Sequence, residues 1–355
     1  MKIHNDFRLN GNSYTVEELK EVAYSLIKEG EPFELKIGDF LIDWLDGKPT
    51  VEVLTSGSTG APKKIKLRKK NMVNSAKATG LFFNLVPKNK ALLCLPADYI
   101  AGKMMLVRAM VLGLELDCVT PSSNPLQPEA GQYDFCAMVP LQAENSVGAL
   151  SKVKILIVGG APVSIEQKAK FQAQIVKTEI FETYGMTETI THIALKRISP
   201  ASSEKQNFKT LPDVKISIDK RDCLIIHAPL IAEGPIVTND IVKLESDTEF
   251  KWLGRFDNVI NSGGVKLFPE QIEAKLAPLI QQRFFVSGLQ DDTLGQRLVL
   301  IVEGDANTNQ LLGQVKMLKS LQKFEIPKEV LTISEFQETG SGKILRDATT
   351  SMLLA

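Results

Sequence analysis

The chain has 355 residues, enough for two domains with ample core. Hydrophobic residues make up 44% and charged residues 24%, and Lys+Arg balance Asp+Glu at 42 each, which argues against a globally basic nucleic-acid binder or a membrane-surface protein. Met1–Asn12 is polar and lacks a signal-peptide core. The most apolar stretch, Met104–Leu116, is interrupted by Arg108 and too short to span a bilayer.

Thr15-Val16-Glu17-Glu18 reads as a capping box opening a helix to about Lys28, with Leu19, Ala23 and Leu26 on one face. Thr55–Lys63 then packs hydroxyls, glycines and a lysine into one loop. In Lys63–Lys70, Ile65 and Leu67 alternate with Lys64, Lys66 and Arg68, as on a half-buried strand with one solvated face. No interleaved aromatics offer base stacking there.

From Ala91 to Tyr184 apolar strands alternate with helical patterns. Strands are predicted at Ala91–Leu95, Leu114–Val119, Phe135–Val139, Ile155–Val158 and Ile180–Thr183, and helices at Lys103–Leu112, Leu141–Leu150 and Ser164–Val176. This is the signature of a largely parallel sheet covered by helices, an α/β fold. After Thr191 short strands follow one another to Leu253, which predicts a small β subdomain. A further α+β unit begins near Asp257, with a helix at Pro269–Leu279, strands at Phe284–Gly288 and Leu298–Glu303, and a helix around Leu311–Leu321. The boundary at Arg255–Asn258 gives domains 1–256 and 257–355. Cys94, Cys118, Cys136 and Cys223 form no C-x-x-C pair and read as free thiols, most of them buried, in a reducing, cytoplasmic compartment. His4, His192 and His227 are too scattered for a histidine metal site.

Four segments carry chemistry. The glycines of Thr55-Ser56-Gly57-Ser58-Thr59-Gly60-Ala61-Pro62-Lys63 let backbone N–H groups converge on an anion, and the hydroxyls and Lys63 add donors and charge. A nucleotide polyphosphate is the obvious ligand. The spacing is not that of a Walker loop, because Pro62 stands where its second glycine belongs; an ordinary polar turn is the alternative. Tyr184-Gly185-Met186-Thr187-Glu188 follows a predicted strand, where open α/β sheets bind ligands. Glu188 suits a hard cation such as Mg²⁺, Thr187 a phosphate, and Tyr184 a base; a solvated loop carboxylate is the plain reading of Glu188. Asp240, after Thr238-Asn239, suits ribose hydroxyls, and Arg255 hydroxyls or phosphate oxygens, against a turn aspartate and a surface arginine. Lys343, in Ser341-Gly342-Lys343, stands on a loop able to carry it toward developing negative charge, against a solvated lysine.

These segments, with Leu95-Pro96…Gly102, Gly159-Gly160-Ala161-Pro162, Gly254–Ile260 and Gly263-Gly264, occur in the order found in the adenylate-forming superfamily of acyl-CoA synthetases, luciferases and adenylation domains, which the chain resembles. Within it, the chain is similar to the compact o-succinylbenzoate–CoA ligases of menaquinone biosynthesis. That resemblance implies ATP, Mg²⁺ and CoA as cofactor, metal and co-substrate, and a carboxylic acid as substrate.

It also implies site roles. Ser56, Ser58, Thr59 and Lys63 would embrace the β- and γ-phosphates, Thr187 the α-phosphate, and Glu188 the Mg²⁺. Gly160, Ala161 and Tyr184 would line the adenine pocket, and Asp240 and Arg255 would hold the ribose. Lys343 would bridge carboxylate and α-phosphate, and Asp257 would be the hinge of a mobile C-terminal domain. Tyr99, Val265 and Asn258 depart from the usual family residues. A second substrate carboxylate would need an anchor: Lys103 is the first choice, with His192 and Arg108 as further candidates and Arg108 expected on an exposed helix face. No nucleic acid and no membrane insertion are expected, and a homodimer is one expected consequence of the short N-terminal portion. Competing readings are an adenylating ligase for another aryl or fatty acid or for a carrier-protein thiol, and a catalytically silent nucleotide-binding module.

Overall fold

The computed structural model describes residues 3–54, 64–127, 129–200, 207–338 and 344–353. In chain order the first elements are β1 (Arg8–Leu9), α1 (Val16–Glu29), α2 (Pro32–Leu45), β2 (Thr50–Leu54), β3 (Lys64–Arg68) and α3 (Lys69–Phe83). Next come β4 (Lys90–Leu93), α4 (Ile100–Leu112), β5 (Glu115–Cys118), β6 (Tyr133–Met138), α5 (Pro140–Asn145), β7 (Val153–Val158), α6 (Ile165–Gln174) and β8 (Glu179–Gly185). Six strands follow: β9 (His192–Ser199), β10 (Phe208–Thr210), β11 (Lys215–Ile218), β12 (Cys223–His227), β13 (Ile236–Leu244) and β14 (Glu249–Arg255). The chain closes with β15 (Ile260–Ser262), β16 (Val265–Leu267), α7 (Pro269–Leu276), β17 (Phe284–Asp291), β18 (Gly295–Glu303), α8 (Thr308–Lys316), β19 (Glu329–Ile333) and α9 (Arg346–Met352).

One twelve-stranded sheet, in the order β1-β5-β4-β6-β7-β8-β9-β10-β14-β13-β12-β11, dominates the molecule. Pairings from β1 to β8 are parallel, and those from β8 to β11 antiparallel. The strands after Thr191, expected as a separate β subdomain, extend this same sheet. Each central parallel strand is buried on both faces, which is why it reads as a continuous apolar run. Phe135, Ala137, Ile155 and Ile157 join the core under α1–α4. Their neighbours Cys136, Met138, Leu156 and Val158 join the core under α5 and α6. A five-stranded sheet, β16-β15-β18-β17 with β19 on β18, is packed by its own two cores.

Local chemistry sets the element ends. Thr15 and Glu18 form the expected reciprocal cap on α1. The glycine after α4, Gly113, is left-handed at φ 75° and closes that helix. The expected helix Leu141–Leu150 divides at Ser146 into α5 and a 3-10 turn, Val147–Lys152. The four cysteines are free, as expected.

Arg108 overturns an expectation. It is 2% exposed, whereas its sequence pattern placed it on a solvent face. The cause is that α4 is apolar nearly all round and enclosed, burying Met104 through Met110 on every side. Among the described residues no helix is long and apolar enough to cross a membrane.

Candidate active site

The site forms where the parallel half of the sheet turns antiparallel, at the C-terminal ends of β7 and β8. After β8 the backbone turns sharply. A Cβ on Gly185 would lie 2.3 Å from the Thr191 carbonyl oxygen, so only glycine fits. The Thr189 hydroxyl accepts from Met186 N at 2.9 Å and lies 2.7 Å from the Thr191 carbonyl, tying the turn shut. Ile190 leaves it at φ 67° and ψ −56°, a strained γ-turn closed by Thr191 N donating to the Thr189 carbonyl at 2.7 Å, which a β-branched residue adopts only under constraint, at about 1–3 kcal/mol. This turn sets Thr187 beside an exposed Glu188 at its tip.

On the other side of Tyr184 lies a polar cluster. The Tyr184 hydroxyl donates to Asp240 Oδ2 at 2.6 Å, and Trp252 Nε1 donates to Asp240 Oδ1 at 3.2 Å. Arg255, the cross-strand partner of Asp240, approaches the same carboxylate at 3.7 Å and Asp257 at 3.2 Å. Asn239 also donates to Asp257. Burial first, and Asp240 second, push the Tyr184 phenol well above its ordinary range, so it stays a neutral donor. The ring of Tyr184 packs on Phe250 and Phe208.

The Gly159–Pro162 segment follows β7 and faces the same end of the sheet. A Cβ on Gly159 would lie 2.1 Å from Thr183 Oγ1, and Gly160 takes φ 84°, so both positions exclude ordinary side chains. Val163 N anchors the segment on Glu182 at 3.2 Å. Glu182 is itself held by Lys196 at 2.7 Å and Lys168 at 3.0 Å. Burial pushes its carboxyl up, but the two lysines outweigh burial and leave it below the usual range.

Beneath the turn is a second polar group, inside the core. Arg108 Nη2 donates to Thr191 Oγ1 at 3.0 Å and Nε to Thr79 Oγ1 at 3.4 Å. His192 lies 3.5 Å from the same Thr79 hydroxyl and 2.9 Å from that of Thr191. Among the described residues, no carboxylate lies within ion-pairing distance of Arg108. Burial pulls the guanidinium down to about 10, which still leaves it charged at neutral pH.

Burial, then Arg108, pull His192 well below its ordinary value, so the folded protein holds a neutral imidazole. The unfolded chain protonates His192 near pH 6.5, so this contribution is present above that pH and lost as pH falls below it, by up to about 1.4 kcal/mol per unit. Urea unfolding at pH 7.5 and 5.5 is therefore expected to show a smaller pH loss in His192→Gln than in wild type. Equal losses would reject this origin.

Of the expected residues, Tyr184, Asp240 and Arg255 are in direct contact or close approach, Thr187 and Glu188 occupy the adjoining turn, and Gly160 and Ala161 follow the neighbouring strand. Lys103 instead donates to the carbonyls of Ala97 and Asp98, both at 2.8 Å, at the start of its own helix. Thr55, Ser56, Gly57, Ser58, Thr59, Gly60, Lys63 and Lys343 lie outside the described residues. The flanks of the first segment are paired, Leu54 with Lys64, and those of the second bridge from Glu338 to Ile344. Trp252 was not among the sequence candidates, although it is one of only two tryptophans.

An α/β sheet with Gly-lined turns and a Tyr–Asp–Arg cluster at its strand ends is the layout of a nucleotide-binding enzyme. Residues 47–222 match the family described as AMP-binding enzyme. A solved acyl-CoA synthetase (AMP-forming)/AMP-acid ligase II-like protein from Dyadobacter fermentans is 36% identical, with 94% of this chain and 98% of that one covered and a TM-score of 0.61. The 2-succinylbenzoate–CoA ligase of Enterococcus faecalis is 25% identical, over 82% of this chain and 67% of that enzyme. The fold is shared with the Bacillus subtilis o-succinylbenzoate coenzyme A synthetase solved with ATP and a magnesium ion, at 19% identity, 84% and 69% coverage and a TM-score of 0.71. The chain belongs to the AMP-binding, adenylate-forming enzyme family.

Proposed function

We propose that the protein is an ATP-dependent acid–CoA ligase, with o-succinylbenzoate as the preferred acid. The observation that carries the ligase reading is the Tyr184–Asp240–Arg255 cluster standing beside the Thr187–Glu188 turn. The carboxylate oxygen of the acid attacks the α-phosphorus of ATP, pyrophosphate leaves, and an acyl-adenylate forms. The CoA thiol then attacks the acyl carbon, loses its proton, and AMP leaves. Adenylation matters because AMP is a far better leaving group than oxide.

This chain's residues divide the work. Asp240 keeps acceptor capacity for ribose hydroxyls beyond its bonds to Tyr184 and Trp252, since a carboxylate offers about four lone-pair sites. Thr187 meets the α-phosphate, and Thr55–Lys63 the outer phosphates. Mg²⁺ is commonly held by one or two carboxylates together with substrate phosphates. A single exposed Glu188 fits that pattern, whereas no group of three or more His, Cys, Asp or Glu among the described residues would hold a metal alone. Bound Mg²⁺ would neutralise phosphate charge. Lys343 supplies the cation at the reacting carboxylate, carried on a mobile unit of residues 257–355 hinged at Asp257.

The preference for a dicarboxylic acid rests on Arg108. A buried cation with only hydroxyl and thioether partners is costly, and a substrate carboxylate reaching Thr191 would pair it. Lys103 is less suited because two of its three N–H groups are already committed. The deciding assay is pyrophosphate and AMP release with ATP, Mg²⁺, CoA and a panel of acids. AMP and a thioester from o-succinylbenzoate are expected. No AMP with any acid or carrier thiol would leave only the silent nucleotide-binding module.

A further inference from the structure

Glu182 is a buried carboxylate that gathers both sides of the proposed base site. It lies on β8, two residues before Tyr184, and is 6% exposed. Its Oε1 accepts from Val163 N, and its Oε2 faces Lys196 on β9 and Lys168 on α6. Glu182 and Lys196 are direct cross-strand partners. Among the described residues, no other carboxylate lies within ion-pairing distance of either lysine.

Two connections leave this triad. One runs to the loop after β7. Gly159 N donates to the Met138 carbonyl at 3.1 Å and Val163 N to Glu182 at 3.2 Å, so only the exposed Gly160, Ala161 and Pro162 lie between two fixed amides. The other runs to Tyr184. Lys196 Nζ stands 4.3 Å from the centroid of the Phe208 ring, which is 5.8 Å from that of Tyr184. Phe250 stacks on Phe208 at 5.4 Å and meets Tyr184 edge-on at 5.1 Å. One carboxylate therefore holds the loop directly and the tyrosine through a cation and a ring. Buried charge clusters seldom add more net stability than apolar side chains of the same volume. What this one supplies is a fixed gap between loop and ring.

We propose that Glu182, held by Lys168 and Lys196, is a positioning residue for the nucleotide base: it sets the gap between Gly160–Ala161 and Tyr184, and so the affinity for the base of ATP. The proposal rests on the nucleotide-site reading, with the base between those two segments. Its test is equilibrium binding, on the full chain with Mg²⁺, of ATP and of ribose 5-triphosphate, which lacks only the base. Glu182→Gln keeps an acceptor for Val163 but leaves two lysines without a counter-charge, so they separate and the gap shifts. ATP affinity is expected to fall about tenfold, while ribose 5-triphosphate, if anything, gains from the added positive charge. In the working ligase KM for ATP should rise while KM for the acid holds.

Lys196→Met should also weaken ATP binding, and Lys196→Arg, which keeps a cation over Phe208, should restore it. This pair decides the proposal if Glu182→Gln does not fold. Equal falls for both ligands, an ATP affinity that is unchanged or raised in Glu182→Gln, or like behaviour of the two Lys196 variants would overturn it. A wild-type chain that binds ATP and ribose 5-triphosphate equally would instead remove the base-site reading on which the proposal stands.

Discussion

Lys343→Ala is expected to slow acyl-adenylate formation by about 10²–10³-fold, while thioester formation from a supplied acyl-adenylate stays near the wild-type rate. The magnitude is that of removing one preorganised charge-stabilising group from a developing anion, about 3–4 kcal/mol. In the first half-reaction a carboxylate approaches a phosphate, and negative charge accumulates between them. A cation placed there acts on the transition state far more than on the separated reactants. In the second half-reaction the mixed anhydride already exists, so the lysine has nothing comparable to neutralise. Single-turnover measurement of pyrophosphate release and of thioester formation separates the two. Equal loss in both would reject the assigned role.

The second large effect concerns Arg108, and its two parts have opposite signs. Arg108→Met is expected to lower kcat/KM for o-succinylbenzoate by about 30–1000-fold, the 2–4 kcal/mol typical of removing one partner from a buried charge pair. The same substitution should stabilise the ligand-free protein by about 1–3 kcal/mol, because it replaces a buried charge that has only neutral partners with an apolar side chain of similar length. A monocarboxylic analogue lacking the second acid group should lose little. Urea unfolding and steady-state kinetics with the two acids provide the check. A parallel loss with both acids, or a less stable variant, would show Arg108 to be structural.

The sequence spoke most clearly where the physics is local or repetitive. The Thr15–Glu18 cap is contained within four residues, and it formed as expected. The central strands β4, β6 and β7 are largely buried on both faces, so each appears as a mostly apolar run. Helix α3 was harder to see because its buried side includes Lys69, Ser75 and Thr79, which no hydrophobic periodicity detects. Among the described residues, Lys69 is held by Asp46, 23 residues away, at 2.6 Å from its carboxylate. Arg108 was misplaced by the reasonable rule that a charge in a helix faces water, a rule that fails when a helix has no wet side.

The candidate site followed the same division. Motif order pointed to Tyr184, Asp240 and Arg255. That Asp240 would accept from both Tyr184 and Trp252 depends on strand register across a bulge between Ile241 and Val242. The strands after Thr191 read as a small β subdomain of the first domain because nothing local records that β9 pairs back onto β8.

That junction bears on how the protein is assembled. Tyr184 lies on the last parallel strand, and its partner Asp240 lies 56 residues later on β13, which β9, β10 and β14 separate from β8 in the sheet. Neither portion alone contains both Tyr184 and Asp240, so on the proposed ribose-binding role nucleotide affinity would require both portions to be folded. ATP then acts as a weld: at a hundred times its dissociation constant it would add about 2.7 kcal/mol against unfolding. Because that gain exists only while both portions are folded, bound nucleotide should make two stretches with very different strand pairing melt as one cooperative body.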